Sequence, residues 1–262
     1  ALCRTLDLDE LARERLMGEM EKALTRSGRP SRCFEALREM GQLEPWLKEV
    51  AALIGVKQRA DCHPEGDAWT HTMLVVDEAA KLRDEAKNPA GLMLAALLHD
   101  VGKAVAMQEK DGVIHAYGHE TAGVPLAEEF LQRLTGEKAL CRYVLNMVEL
   151  HMKPNLYAAQ NSGQKAWNRL FDRSACPEDL LLLAKADHWG RINAAPYAET
   201  ERMIRARLSA YEEMMARPHI TGADLLARGI QPGEEMGRLL EEAHRLRLAG
   251  VKKEDALRQM RL

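Results

Sequence analysis

A histidine followed directly by an aspartate, His99-Asp100, ends the most apolar segment of the chain in the sequence AALLHDVGKA. A carboxylate without a partner is costly to bury beside such a segment. A divalent metal ion would compensate the charge, because transition metals accept both imidazole and carboxylate ligands. The alternatives are a hydrogen-bonded core histidine and an aspartate that caps a helix end. Six of the nine histidines lie between residues 63 and 151, so further ligands are expected in that region.

Helices are predicted to position these residues, because apolar side chains recur with a 3.6-residue period and no alternation of period two is convincing. Residues 91–98, GLMLAALL, are apolar on all sides and are expected to form a fully buried helix. Asp67 is expected to cap the helix that follows it. The stretch 108–118 interrupts the helical pattern and places His115 in a loop. The predicted fold class is all-α.

Composition excludes several classes of protein. The 262 residues are 46% hydrophobic, which is enough for a sizeable core, and the net charge of −3 excludes an overall basic coat for nucleic acid. The five cysteines are scattered without a CxxC motif, which is typical of reduced thiols in the cytoplasm. Because no apolar run approaches the roughly 20 residues that cross a bilayer, no membrane association is expected.

Three motifs carry a family resemblance. His71 lies in HPEGDAWTHTMLVVD, His99-Asp100 in LLHDVGK, and Asp187 in LLLLAKADHWGR. This H…HD…D order resembles the signature of the HD-domain metal-dependent phosphohydrolases. The resemblance implies an HD-domain helical bundle in which these four residues hold one divalent ion. Nitrogen and oxygen ligands suit Mn, Ni, Co, Fe or Zn, and Mg more weakly, so the sequence does not fix the metal.

A closer resemblance covers almost the whole chain. The motifs GHETAGVP, ELHMKP and ADHWGR are similar to the HD region of bacterial CCA-adding tRNA nucleotidyltransferases, and residues 12–47 and 221–240 are similar to their neck and tail. It implies a neck-like helical segment at 1–58, an HD domain at 59–217 and a helical tail at 218–262.

The catalytic head of that family is not recognisable in this sequence. The head carries a Gly-rich nucleotide loop followed by an Asp-x-Asp motif, and that combination does not occur here. We therefore expect that this chain alone does not add CCA to tRNA. The start at Ala1 instead of methionine is expected to be a boundary inside a longer protein, with a stand-alone relative as the alternative.

Two cations are candidates for the catalytic group together with Asp100. Lys103 lies three residues after Asp100 and would help to neutralise a substrate phosphate, and its alternative is a solvated surface lysine. Arg191 lies four residues after Asp187, so both side chains would face the cleft if the helix continues. The alternative for Arg191 is a surface ion pair.

His119 and His151 match further histidines of the family and leave three alternatives open. They would complete a second metal position, or bind the substrate phosphate and protonate the leaving group, or form structural hydrogen bonds. The second ion therefore stays one of three alternatives.

Two functions follow from the resemblance. The first is a phosphodiesterase or phosphatase acting on nucleotides or RNA 3′ ends, such as 2′,3′-cyclic phosphates. The second is the tRNA-binding carboxyl part of a CCA-adding enzyme, with spaced cations in the tail contacting phosphates. Glutamates lie between these cations, so an ordinary solvated helix face is an equally good interpretation of the tail. The sequence predicts no oligomeric state.

Overall fold

A computed structural model describes residues 11–59, 63–110 and 113–261. Most of these residues are helical, which confirms the predicted all-α class. The helices up to the middle of the chain are α1 Arg13–Arg26, α2 Ser31–Met40, α3 Lys48–Ala51, α4 Ala68–Leu82, a 3₁₀ turn Arg83–Glu85, α5 Pro89–Leu98, α6 Lys103–Ala106, α7 His119–Leu134 and α8 Lys138–Leu150. The later helices are α9 Met152–Ala159, α10 Gln164–Arg173, α11 Pro177–Trp189, α12 Ala198–Ala216, α13 Gly222–Leu226, α14 Glu234–Leu248 and α15 Lys253–Gln259.

Packing divides the chain into two compact units. The first contains the described residues of Ala1–Leu156 together with Ser174–Glu201. The second contains Tyr157–Arg173 and the described residues of Arg202–Leu262. The boundaries expected from the sequence, after residues 58 and 217, stay a prediction.

Helix α5 forms the centre of the first unit. Residues 91–98 are buried on every side of the helix, as their uniformly apolar sequence predicts. The helix begins at Pro89, and the side chain of Asn88 accepts a hydrogen bond from the Gly91 amide at 3.0 Å. Helices α4, α8 and α11 pack against α5, so residues at their ends lie close to the end of α5, where His99 follows.

Two glycines permit the close approach of these elements. A Cβ atom at Gly102 would overlap the backbone of His119 and Gly123, so only glycine lets the turn after α5 lie against the start of α7. A Cβ atom at Gly190 would overlap Val75, so the end of α11 lies directly against α4. The glycines of the HDVGK and DHWGR motifs thus bring separate helices together.

A β-hairpin occupies the segment that interrupts the helical pattern. Strand β1, Gln108–Lys110, pairs antiparallel with strand β2, Val113–His115, with Gln108 opposite His115. The prediction of a loop at His115 was therefore wrong. Strands of three residues are too short to show an alternation of period two, which explains why the sequence did not reveal them.

The second unit has a small core of its own. The buried residues of this core include Leu225 on α13, Ala243 on α14 and Ala256 on α15. Thr221 caps α13, because its hydroxyl accepts from the Asp224 amide while the Asp224 carboxylate accepts from the Thr221 amide. The tail segment is therefore folded rather than extended.

Two expectations about the class of protein concern the described residues. Cys33, Cys141 and Cys176 are free thiols, whereas Cys3 and Cys62 lie outside the described residues. Every helix in the described ranges is too short or too polar to cross a lipid bilayer.

Candidate metal centre

Five separate helix ends or faces supply the buried polar residues of one cluster. His71 lies on α4, His99-Asp100 directly after α5, His119 at the start of α7, His151 directly after α8, and Asp187 on α11. All six side chains are buried, and Asp100 is only 2% exposed. Asp67 caps α4 as predicted, since its carboxylate accepts from the Thr70 amide at 2.9 Å.

Four of these residues converge on one point. Nε2 of His71 lies 3.0 Å from Oδ1 of Asp187 and 3.8 Å from Oδ2 of Asp100. Nε2 of His99 lies 3.2 Å from the same Oδ2 of Asp100. Ligand atoms of His71, His99 and Asp187 all lie within 4.8 Å of one another. The structure thus brings together all four residues expected to hold an ion.

The second oxygen of Asp100 faces a different pair of histidines. Oδ1 of Asp100 lies 3.1 Å from Nε2 of His119 and 3.7 Å from Nε2 of His151. The two Nε2 atoms are 3.3 Å apart. Asp100 therefore lies between two groups of ligand atoms and presents one oxygen to each.

Backbone carbonyls fix the tautomers of three histidines. Nδ1 of His99 donates to the Ala96 carbonyl at 2.8 Å, Nδ1 of His119 to Ala116 at 2.8 Å, and Nδ1 of His151 to Val148 at 2.7 Å. Since Nδ1 carries the proton in a neutral imidazole that donates in this way, Nε2 presents a lone pair. All three lone pairs point toward the Asp100 carboxylate.

Glu65 lies beside the outer nitrogen of His71. Its carboxylate is buried, and Oε1 lies 2.8 Å from Nδ1 of His71 and 2.8 Å from Nδ1 of His63. The negative charge of Glu65 beside Nδ1 favours a proton on that nitrogen, so Nε2 of His71 is left to face Asp100 and Asp187. A carboxylate beside the outer nitrogen of a metal-binding histidine raises the basicity of the ligand nitrogen.

These residues fit a cation chemically. Nε2 of His99 and Oδ2 of Asp100 are buried without a hydrogen bond among the described residues, although Oδ2 forms an ion pair with Lys103. Lone pairs of imidazole and carboxylate repel one another at these distances unless a proton or a metal ion lies between them. Imidazole and carboxylate together suit a divalent transition metal.

Burial and neighbouring charges shift the pKa values of the cluster residues. Burial opposes ionisation of Asp100, but His99 and Lys103 outweigh it and hold the pKa of Asp100 well below its usual range. Burial likewise opposes a charged His71, but Asp187 and Glu65 raise its pKa. Burial, together with His99 and His119, lowers the pKa of His151 to about 3, so His151 is neutral near pH 7.

Both predicted cations lie at this cluster. Nζ of Lys103 is 2.6 Å from Oδ2 of Asp100 and donates to Oε1 of Gln58 at 2.5 Å. At 7% exposure Lys103 is not a solvated surface lysine. Nη2 of Arg191 donates to Oδ2 of Asp187 at 3.3 Å, so this ion pair lies at the ligand cluster.

A cleft of about 210 Å³ opens onto the ligand cluster. Asp100, Asp187 and His119 line it together with the two cations, and Ile114 and His115 of the hairpin also line it. A small phosphate ester can therefore reach the buried carboxylates from solvent.

Two residues of the cluster were missed at the level of sequence. Glu65 lies in the HPEGD segment before α4, and Gln58 lies before that segment. The six-residue separation of Glu65 and His71, across a turn, follows no helical period and gave no signal. The contact between Gln58 and Lys103 joins residues 45 positions apart and is visible only in the fold.

Cations of the tail are mostly engaged within the second unit. Nζ of Lys253 lies 2.7 Å from Asp224, and Arg245 pairs with Glu242 at 3.2 Å. Arg247 donates to the Arg217 carbonyl at 2.8 Å. These contacts fit a folded helical segment, and they leave the predicted contact with tRNA as a prediction.

Residues 68–189 match the family described as "HD domain", and residues 5–54 match one described as "Probable RNA and SrmB- binding site of polymerase A". A "Multifunctional CCA protein" of Burkholderia cenocepacia (strain HI2424) is 37% identical over 253 residues, covering 94% of this chain and 57% of that protein. A protein of the same name from Actinobacillus pleuropneumoniae serotype 5b (strain L20) is 31% identical over 255 residues, covering 94% of this chain and 58% of that protein. The chain thus spans somewhat more than half the length of the curated relatives it matches.

Proposed function

We propose that this chain is a metal-dependent phosphohydrolase, because residues 68–189 match the HD-domain family. Its substrates would be nucleotides or RNA 3′ ends, such as 2′,3′-cyclic phosphates. The observation that carries the proposal is the buried Asp100 carboxylate with Nε2 atoms of histidines around both oxygens. Such a centre at the base of an open cleft is suited to bind a cation and an anionic ester together.

His71, His99, Asp100 and Asp187 would hold a divalent ion, either Mn, Ni, Co, Fe, Zn or Mg. When bound, the ion would supply an activated water and neutralise charge on the phosphoryl oxygen. We further propose that His119 and His151 hold a second ion with Asp100. The low pKa of His151 supports this role, because a neutral imidazole whose proton lies on Nδ1 presents its Nε2 lone pair as a ligand.

Lys103 and Arg191 would act on the substrate. Each lies beside a carboxylate of the cluster, and a phosphate entering the cleft would meet both. Hydrolysis of a cyclic phosphate requires attack of a water oxygen on phosphorus and departure of one ester oxygen, which takes up a proton. The two cations would stabilise the negative charge that develops on the phosphoryl oxygens during this step.

Metal analysis and hydrolysis of 2′,3′-cyclic AMP test the proposal on the purified chain. The chain stripped by a chelator should be inactive, and Mn, Co, Ni or Mg should restore activity. Asp187→Asn should lose both metal and activity. Asp172→Asn is a matched control, because Asp172 contacts His244 at 2.9 Å within the second unit and should leave both unchanged. A chain that binds none of these metals and hydrolyses nothing with any of them would overturn the proposal.

A second candidate is a tRNA-binding carboxyl part of a CCA-adding enzyme, and it is compatible with the first. The match of residues 5–54 to an RNA-binding family and the similarity to multifunctional CCA proteins favour it. We expect the chain then to bind tRNA with strong salt dependence, and Arg238→Ala with Lys252→Ala to reduce the salt slope by about two. Binding that salt does not weaken would contradict this function.

A further inference from the structure

Tyr117 is an unusual surface residue beside the proposed phosphohydrolase centre. It is 82% exposed, more than any other large apolar side chain in the described ranges. It also lines the cleft that leads to Asp100 and Asp187. Exposed apolar groups that rim a polar cleft mark binding sites more often than isolated ones do.

A second ring supports Tyr117 from behind. The rings of His115 and Tyr117 are stacked, with centroids 4.8 Å apart and planes inclined by 15°. His115 lies in strand β2, so the lower ring belongs to a paired element. Because His115 covers one face of Tyr117, the strong exposure of Tyr117 leaves the other face to solvent.

The backbone around Tyr117 is tied to the metal cluster. The carbonyl of Ala116 accepts the hydrogen bond from Nδ1 of His119. Gly118 follows with a φ of +74°, a left-handed conformation that turns the chain into α7. Tyr117 thus lies between Ala116, whose carbonyl orients His119, and Gly118, after which α7 begins.

We infer that Tyr117, supported by His115, is a stacking platform for the nucleobase of the substrate, an inference that rests on the proposed phosphohydrolase function. A phosphate at the base of the cleft meets Lys103 and Arg191, and the rest of the ester must extend toward the rim where Tyr117 lies. Aromatic rings bind bases of any sequence by stacking. The substrate class is therefore phosphate esters that carry a base, in preference to base-free sugar phosphates.

Two substrates and three variants test this inference. The substrates are 2′,3′-cyclic AMP and methyl riboside 2′,3′-cyclic phosphate, which differ by the base. Tyr117→Ala should raise KM for 2′,3′-cyclic AMP by about 5- to 150-fold, the range for loss of one stacked base. It should change kcat/KM for the base-free ester less than about twofold. Tyr117→Phe keeps the ring and should behave as the unmodified chain.

Val105→Ala is the matched control, because Val105 is 65% exposed on the neighbouring α6 and does not line the cleft. It should change neither substrate. An equal loss for both substrates in Tyr117→Ala, or no loss for either, would overturn the inference. So would a Tyr117→Phe variant as impaired as Tyr117→Ala.

A binding measurement separates this inference from the proposed function. Calorimetric titration with 3′-AMP requires no turnover. If the chain hydrolyses neither ester but Tyr117→Ala still weakens 3′-AMP binding 5-fold or more, the proposed hydrolysis fails and the platform stands. If hydrolysis of both esters proceeds normally and 3′-AMP binds equally to both chains, the platform fails and the hydrolysis stands.

Discussion

Asp100 and Asp179 are both buried in the first unit, yet they have opposite surroundings. Asp179 is 0% exposed and is enclosed by donors. Its oxygens accept from the amides of Lys87 at 2.8 Å and Asn88 at 2.9 Å, and from the hydroxyl of Tyr143 at 2.6 Å. Burial and the neighbouring carboxylate raise the pKa of Tyr143, so the hydroxyl keeps its proton. Asp179 therefore joins three segments by hydrogen bonds alone.

Asp100 is enclosed mainly by groups that present lone pairs. Nε2 atoms of His99 and His119 lie 3.2 and 3.1 Å from its oxygens, and both imidazoles already donate their Nδ1 protons to carbonyls. Lys103 supplies one positive charge. The difference shows that burial of a carboxylate does not by itself indicate function. What matters is whether the neighbouring atoms donate hydrogen bonds or require a cation.

The largest effect expected from this comparison is the loss of metal in Asp100→Asn but not in Asp179→Asn. Asp100→Asn should lose metal and lower kcat/KM by about a thousandfold or more, because several kcal/mol of charge stabilisation disappear. Its metal-free form should also lose stability, because buried Lys103 loses the carboxylate with which it pairs. Asp179→Asn should retain metal but lose about 3 kcal/mol of stability, since an amide cannot accept from all three donors.

Metal content by mass spectrometry and urea unfolding of the metal-free chains measure the two effects separately. The comparison breaks if Asp179→Asn loses metal without losing stability, or if Asp100→Asn still binds metal.

The sequence predicted the class of fold and much of the cluster, for identifiable physical reasons. The apolar run 91–98 predicted a buried helix, and the polar pair His99-Asp100 at its end differed sharply from it. By contrast, nothing in the sequence distinguished Asp179 from a surface residue. Its partner Tyr143 is 36 residues away, and such pairs are defined by helix packing rather than by local pattern.

The parts that were missed are short or distant. The hairpin strands have three residues each and are too short to show a period. The sequence therefore predicts only a break in the helical pattern at the segment that precedes Tyr117. Glu65 contacts His71 across the turn that precedes α4, and in a turn the residue spacing does not predict which side chains meet.

Glu65→Gln sharpens the comparison by changing one neighbour of the cluster that does not touch Asp100. The amide removes the negative charge 2.8 Å from Nδ1 of His71, so His71 should become a weaker ligand. We expect metal affinity to fall by about 10- to 100-fold, the usual effect of losing such a partner. Competition with a chelating dye measures the affinity.

Glu120→Gln provides the matched control for this variant. Its carboxylate lies 3.9 Å from Nδ1 of His119, too far for a hydrogen bond, and that nitrogen already donates to Ala116. Metal affinity should therefore stay within about twofold. Equal losses in both variants would show that acidic charge near the cluster matters, and that orientation of His71 does not.

The smallest expected effect is the pH dependence of metal binding. It should be a property of the lone pairs around Asp100, because the groups around Asp179 donate hydrogen bonds instead. Despite the opposing effect of burial, Asp187 and Glu65 raise the pKa of His71, and Asp100 raises the pKa of His119. Below these raised values the metal-free cluster holds protons that a cation must displace. Metal affinity should consequently increase with pH and level off above them.

The sign of the stability change follows from the same pKa values. A histidine whose pKa is raised on folding stabilises the metal-free chain fully below its unfolded value of 6.5, and this contribution is lost as pH rises through the folded value. The increase in melting temperature on adding metal should therefore grow with pH. Calorimetry in buffers of different ionisation enthalpy should detect release of about one to two protons per chain. Binding without proton release would mean that the imidazoles are already neutral in the metal-free chain. Protons would then not separate the lone pairs around Asp100, which would contradict this account of the cluster.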